Sequence, residues 1–358
     1  MRADNKWQDY KLLDATDGYR LESWGGVILV RPDPQVVWKF EKRSPMWEKA
    51  HAVYHRSTKG GGEWEYRKKF PAEWNIGYDS MTFKVTPTGF KHTGIFPEQA
   101  TNWDEYARMI AKEGRELNIL NLFGYTGGAT LACAAAGAKV CHVDASKGVV
   151  AWGKENAQLS GLDNKPIRWI VDDCIKFVQR EIRRGNKYDG IIMDPPSYGR
   201  GPNGEVWKLE DNIFQLLQLC TQILSDDPLF VAVNSYTTGV SPSLMEYMLD
   251  VMMRDKYKGK VSAQEIGLKV ESTGMALPCG STAFWKTIPT FWRISSSFSS
   301  SFVFMHSTII SPFSGTRIAL NSLARVDLPQ PFEPSIATNS PFSTCKSMPF
   351  SAQSPSCE

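Results

Sequence analysis

Long apolar runs are missing from this 358-residue chain. Nowhere do about 18 apolar residues follow one another, so no membrane-spanning helix is expected. The opening residues, MRADNKWQDYK, hold no apolar centre and no cleavage pattern, so no secretory leader is expected either. Excess charge is also missing. Forty-one Lys and Arg stand against 38 Asp and Glu, a formal net charge of +3. A chain so balanced binds nucleic acid through a local patch, not through its overall field. Cysteine is sparse: seven residues, at 133, 141, 174, 220, 279, 345 and 357, with no CxxC pair. No Cys/His cluster has zinc spacing. The odd, scattered set fits reduced thiols in a cytosolic protein. His51 and His55 are spaced to share a helix face, but no third ligand accompanies them, and no metal is expected.

What is present suffices for a core: 42% of residues are hydrophobic and 22% charged. The length suggests about two domains. Composition breaks at Lys286. From there to Glu358, 17 of 73 residues are Ser, eight Pro and eight Phe, and only three are acidic. No period of two or 3.6 runs through this stretch, which reads as a disordered or non-native extension; a natural Ser/Pro-rich linker is the alternative.

Residues 1–75 read as a β-rich module. Residues 16–38 read as two or three short strands, with turns at Asp17-Gly18 and Gly25-Gly26. Residues 81–96 read as a strand, a turn at Pro87–Gly89 and a second strand. Residues 102–117 read as a helix with Asn102 as its cap. Strands and helices then alternate, which specifies a doubly wound α/β sheet over residues 76–285. Ligands of such sheets bind beyond the carboxyl ends of the strands.

The candidate motifs all fall at those ends. The first strand runs into Asn121–Gly128, where glycines let the backbone approach a ligand and the next helix offers free N–H groups. Phe123, Gly124, Tyr125, Thr126 and Gly127 form this turn. It is not GxGxxG, so a dinucleotide pyrophosphate is poorly served. The second strand ends at Asp144, placed to accept both hydroxyls of an adenosine ribose, with Ala145 and Ser146 beside it. A helix cap at Asp144 or Ser146 is the bland alternative. The third strand ends at Asp173-Cys174, where an acid can take the adenine amino group or cap a helix. The fourth ends in Asp194-Pro195-Pro196-Ser197-Tyr198. Two prolines fix φ and remove two donors, turning carbonyls outward toward a substrate amino group, and Tyr198 can stack on a base.

In this order these motifs resemble the class I S-adenosylmethionine-dependent methyltransferases. The flanking segments His92–Gln99 and Glu271–Gly280 are similar to the RlmI/RlmK-like branch, which methylates large-subunit ribosomal RNA. The resemblance implies a Rossmann-like seven-stranded sheet with its last strand antiparallel. It also implies S-adenosylmethionine contacts at Phe123–Gly127, Asp144, Asp173 and Asp194, with Gln99 closing the site.

Methyl transfer from a sulfonium is an in-line displacement that asks mainly for alignment. For a nitrogen acceptor, Asp194 and the Pro195 carbonyl orient an amino group, and Asn234 is a further polar group at a strand end. Carbon 5 of cytosine instead needs a cysteine thiolate. No Cys follows the fifth strand; Cys279 is a substitute nucleophile, with a small buried residue in the last strand as the alternative reading. In the module, Lys39, Lys42, Arg43, Arg56, Lys59, Arg67, Lys68 and Lys69 interleave with Trp38, Trp47, Trp64 and Tyr66. Basic groups hold phosphates and rings stack on bases, so RNA contact is expected there, against a solvated face over a small core. The sequence thus points to a cytoplasmic methyltransferase acting on a base in RNA. A small-molecule or protein methyltransferase and a non-catalytic RNA-binding protein are the alternatives.

Overall fold

The computed structural model describes residues 1–3, 6–57, 61–89, 91–200, 206–237 and 239–288. The chain begins with β1 (Tyr10–Thr16), β2 (Tyr19–Trp24), β3 (Val27–Pro32), β4 (Ala52–Arg56) and β5 (Gly62–Tyr66), which pair in that order. The two expected hairpin turns have positive φ at both central residues, Asp17 and Gly18, then Gly25 and Gly26. That backbone matches the right-handed twist of the flanking strands across a two-residue turn. His51 and His55 lie at strand β4, not on a helix. His51 Nδ1 accepts from the Ile28 N–H at 3.0 Å, and His55 Nε2 meets Glu65 at 2.7 Å.

The strand Met81–Val85 (β7) finds its partner upstream, in β6 (Trp74–Tyr78), around a turn where Asp79 has φ 51°. The expected partner downstream does not form. Thr86 and Thr88 still bond to Thr93 and His92, but Gly94 (φ 102°) then bends the chain beneath the Trp152 ring. Phe90 lies outside the described residues.

The helix expected from Asn102 starts earlier. A 3₁₀ turn at Pro97–Gln99 leads directly into α1 (Ala100–Glu113), which ends at left-handed Gly114. Asn102 is therefore not a cap. It is buried inside α1, with its amide turned toward the sheet.

The alternating half follows as read: β8 (Asn118–Leu122), α2 (Gly128–Ala135), β9 (Lys139–Asp144), α3 (Lys147–Leu159), β10 (Ile167–Val171), α4 (Cys174–Arg184) and β11 (Gly190–Met193). A small hairpin, β12 (Tyr198–Arg200) and β13 (Val206–Lys208), precedes α5 (Leu209–Cys220). Then come β14 (Phe230–Ser235), α6 (Pro242–Met253), β15 (Gly259–Lys269) and β16 (Ala276–Thr287). The seven strands are ordered β10-β9-β8-β11-β14-β16-β15. The first five are mutually parallel and β16 runs antiparallel to β14. Strands buried on both faces read as continuous apolar runs, and GIIM does so. The chain switches direction across the sheet between β8 and β11, and the crevice opens there.

β16 runs on to Thr287, with Lys286 paired to Glu105, so the sheet extends past the composition break. The rest of the Ser-rich extension lies outside the described residues. One core joins the module to the sheet: Tyr10, Leu12 and Trp24 pack in the same cluster as Trp103, Tyr106, Ile119 and Phe230. Among the described residues, no helix is long and apolar enough to cross a membrane, and no group of metal-ligating side chains comes together.

Candidate active site

The turn after β8 is held in an unusual conformation. Phe123 (φ 57°) and Tyr125 (φ 51°) are non-glycine residues in the left-handed region, at about 1–3 kcal/mol each. Three hydrogen bonds hold them. Gly124 N–H donates to Val143 O at 3.0 Å, Tyr125 N–H to Asp144 Oδ2 at 3.0 Å, and Gly127 N–H to Gly124 O at 3.0 Å. Glycine is required at 124 by close approach. A Cβ there would stand 2.4 Å from the His142 ring, which is itself buried and bonded to Thr130. Burial pushes the His142 pKa down to about 3, so the ring is neutral.

Asp144 uses one oxygen on the Tyr125 N–H and the other on the Ser146 N–H at 2.9 Å. It ties the two loops together at the rim and keeps further lone pairs in hand. Ser146, not Asp144, caps α3, through Val149 N–H, and Ala145 lies between them. Asp173 caps α4 through Lys176 N–H at 2.9 Å, and Cys174 is buried, its thiol pKa raised by that burial.

Gln99 is the hub on the opposite side. Its Nε2 donates to Tyr236 Oη at 2.7 Å and to Asp194 Oδ2 at 3.4 Å. Its Oε1 accepts from Asn102 at 2.8 Å and Asn234 at 3.3 Å. Asn234 in turn accepts from Asn102 and Thr282, so both ends of its amide are engaged. Asp194 Oδ1 is buried with no hydrogen-bond partner. Burial, and then the neighbouring Glu98 carboxyl, push the Asp194 pKa up to about 7.

Gln99, Phe123, Gly124, Tyr125, Thr126, Asp194 and Asn234 therefore line one cleft, joined by Phe96 and Asn121. Gly127, Asp144, Ala145, Ser146, Asp173 and Cys174 stand along the same strand ends, outside its wall. Pro195 and Pro196 face an adjoining cavity, and Tyr198 is exposed on β12. The Pro196 carbonyl accepts from Trp207 Nε1 at 2.6 Å, and the Trp207 ring lies against Phe123. The sequence reading gave no role to Phe96, Glu98, Tyr236 or Thr282, and gave Asn102 only that of a helix cap. Phe96 and Glu98 sat inside the quoted His92–Gln99 segment, where neighbourhood to Gln99 was the only signal.

The module's aromatic residues are used by the fold. The indole N–H groups of Trp38, Trp47 and Trp64 donate to Ala15 O, Asp14 and Thr88 O. Lys39 pairs with Asp17, Arg67 with Glu65, and Lys68 donates to Lys49 O. Lys42 lies over Trp47 and Arg43 over Phe40. Arg56, Lys69 and Tyr66 are exposed, and Lys59 lies outside the described residues.

A doubly wound sheet with a glycine turn after its first central strand, an acid after the next and an Asp-Pro-Pro ledge at its crossover has the form of a Rossmann-like methyltransferase. The family model of S-adenosylmethionine-dependent methyltransferases matches residues 45–247. The solved structure of a SAM-dependent methyltransferase from Agrobacterium tumefaciens is 36% identical (TM-score 0.75), over 80% of this chain and 92% of that one. A Streptococcus mutans protein described as a SAM-dependent methyltransferase shares the fold at 19% identity and a TM-score of 0.61, over 79% of this chain and 76% of its own. The ribosomal RNA large subunit methyltransferase K/L of Shewanella baltica is 33% identical over 124 residues, 34% of this chain and 16% of that protein. The namesake of Shewanella strain MR-4 is 30% identical over 156 residues, 43% of this chain and 21% of that protein. The matches thus span about a sixth to a fifth of those curated relatives. The chain belongs to the S-adenosylmethionine-dependent methyltransferase family, and S-adenosylmethionine is its methyl donor.

The donor set suits that molecule. An unmet acceptor at Asp194 Oδ1 and the Asp144 carboxylate offer what a cationic amino acid joined to a ribose needs. The cleft is narrow, about 40 Å³, with the Phe96 ring 5.4 Å from Tyr125 and 5.7 Å from Tyr236.

Proposed function

We propose that the enzyme methylates a nitrogen on a base of RNA, with large-subunit ribosomal RNA as the substrate. The observation that carries this reading is the pairing of the Asp194-Pro195-Pro196 ledge with an adjoining cavity whose walls include Arg20, Arg31 and Lys91. Arg20 and Arg31 are paired with Asp33 and Glu22, which leaves Lys91, among the described residues of this wall, to meet a nucleotide's phosphate. The relatives named above supply the class of RNA.

When bound, S-adenosylmethionine supplies an activated methyl group on a sulfonium. Asp194 and the Pro195 carbonyl orient the acceptor's amino group, leaving its lone pair free for in-line attack. Gln99, fixed by its four partners, holds Asp194 in place. Tyr198, half exposed on its hairpin, offers a face for a neighbouring base. Asp144 holds the ribose. The alternative of a carbon acceptor needs a thiolate, and Cys279 is a poor one. Its sulfur is buried and donates to Leu277 O at 3.3 Å, and burial pushes its pKa up.

The test is mass spectrometry of ribosomal RNA nucleosides from cells with and without the gene, followed by restoration with purified enzyme. One methylated nucleoside should vanish and return. Identical nucleoside profiles would refute the reading.

A further inference from the structure

A cavity of about 310 Å³ opens beside the cleft, between the N-terminal sheet and the proline ledge. Small-molecule sites begin at about 300 Å³, so one nucleotide is a reasonable occupant. Ile95 and Phe96 line both the cavity and the cleft, so a thin partition separates them. The charges on its walls do not all balance internally. Arg20 is tied to Asp33, and Arg31 grips Glu22 through two bonds of 2.6 and 2.7 Å. The third cation, Lys91, has no carboxylate within ion-pair distance among the described residues. Glu98 lies in the same wall, 4% exposed, and likewise has no cationic side chain within that distance.

We infer that this cavity seats the acceptor nucleotide, with Lys91 meeting its phosphate and the Glu98 carboxylate accepting from the donor edge of an amino-bearing base. The assignment rests on the RNA reading above and narrows it. A carboxylate buried without a cationic partner is under-compensated until a ligand donates to it. Carboxylates accept from exocyclic amino groups, as glutamate does from cytosine N4. An ammonium meets phosphate as a point charge. Uracil has no amino group, and would leave the carboxylate unmet, which is how polar sites reject analogues.

The experiment is calorimetric titration of the full chain, loaded with S-adenosylhomocysteine, by the 5′-monophosphates of adenosine, guanosine, cytidine and uridine. At least one amino-bearing monophosphate should bind about tenfold more tightly than uridine monophosphate. Glu98→Gln should shrink that gap to about threefold or less, and Lys91→Ala should weaken all the monophosphates by a similar factor. Equal binding of all four, no binding, or constants that neither substitution changes would overturn the assignment. Lys91→Ala keeps the test decisive if the Glu98 variant does not fold. An unaltered ribosomal RNA profile alongside selective monophosphate binding would sink the RNA reading and leave the cavity's role standing.

Discussion

Replacing Asp194 by asparagine keeps the shape of the side chain and removes the charge from an oxygen that is buried without a partner. Burial, with Glu98 beside it, raises the carboxyl pKa from 3.8 to about 7. At 1.36 kcal/mol per pH unit that difference corresponds to about 4 kcal/mol, an upper bound because relaxation and entering water soften it. Between the two values the folded chain keeps a proton that the unfolded chain has lost, so stability falls as pH rises. Below pH 3.8 both states are protonated and nothing is lost; above about 7 the full cost is present. The neutral amide of the variant carries no such cost. The unfolding free energy of Asp194→Asn, measured in urea, should therefore match the wild type at about pH 4 and exceed it progressively up to about pH 7. Subtracting the two curves removes groups that titrate independently of this site. A difference that stays flat from acid to neutral pH, or that closes, would refute the argument that Asp194 is held protonated by its surroundings.

Asp144→Ala should weaken S-adenosylmethionine binding by well over tenfold in calorimetry, because charged hydrogen bonds contribute about 1.5–3 kcal/mol each; an unchanged constant would remove the ribose assignment. Gly124→Ala should cost about 1–3 kcal/mol of stability. Most of that should return in the Gly124→Ala, His142→Ala double variant, since the clash is with that ring; additive losses would show a different cause. Truncation after residue 294 should leave the melting temperature and cofactor affinity nearly unaltered. Truncation after residue 285 should lower both, because it removes the end of β16 and the Lys286–Glu105 pair.

The sheet was legible because its central strands are buried on both faces and its helices α3 and α4 begin after capping residues. Asp144-Ala145-Ser146 and Asp172-Asp173-Cys174 each mark a strand end and a helix start within three residues. The glycine turn and the proline ledge were legible for the same local reason. The start of α1 was not. Asn102 has the chemistry of a cap, yet its amide is claimed by Asn234 and Thr282, residues 132 and 180 positions away in sequence. Local rules cannot see such partners. The pairing of β7 failed likewise: the turn at Pro87–Gly89 promised a hairpin, whereas Asp79 and Ser80 made one upstream. In the module, sequence does not reveal where an indole N–H will find its acceptor: those of Trp38, Trp47 and Trp64 go to Ala15 O, Asp14 and Thr88 O. Gln99 was named from resemblance, and only the fold shows why it matters: four polar partners from three elements converge on one amide.

The seam between the N-terminal sheet and the large sheet has a practical meaning for anyone wishing to cut or graft this protein. Leu12 and Leu13 carbonyls accept from Glu271 and Ser272 N–H, Ser272 also bonds to Asp14, and Arg2 bonds through its backbone to Glu265 and Gly267. With the two parts sharing one hydrophobic interior, a catalytic half expressed alone would present raw apolar surface to water, and a transplanted module would need a matching interior to dock. The front end behaves less like a detachable adaptor than like the lining of a mould: remove it, and the cavity beside the ledge loses a wall.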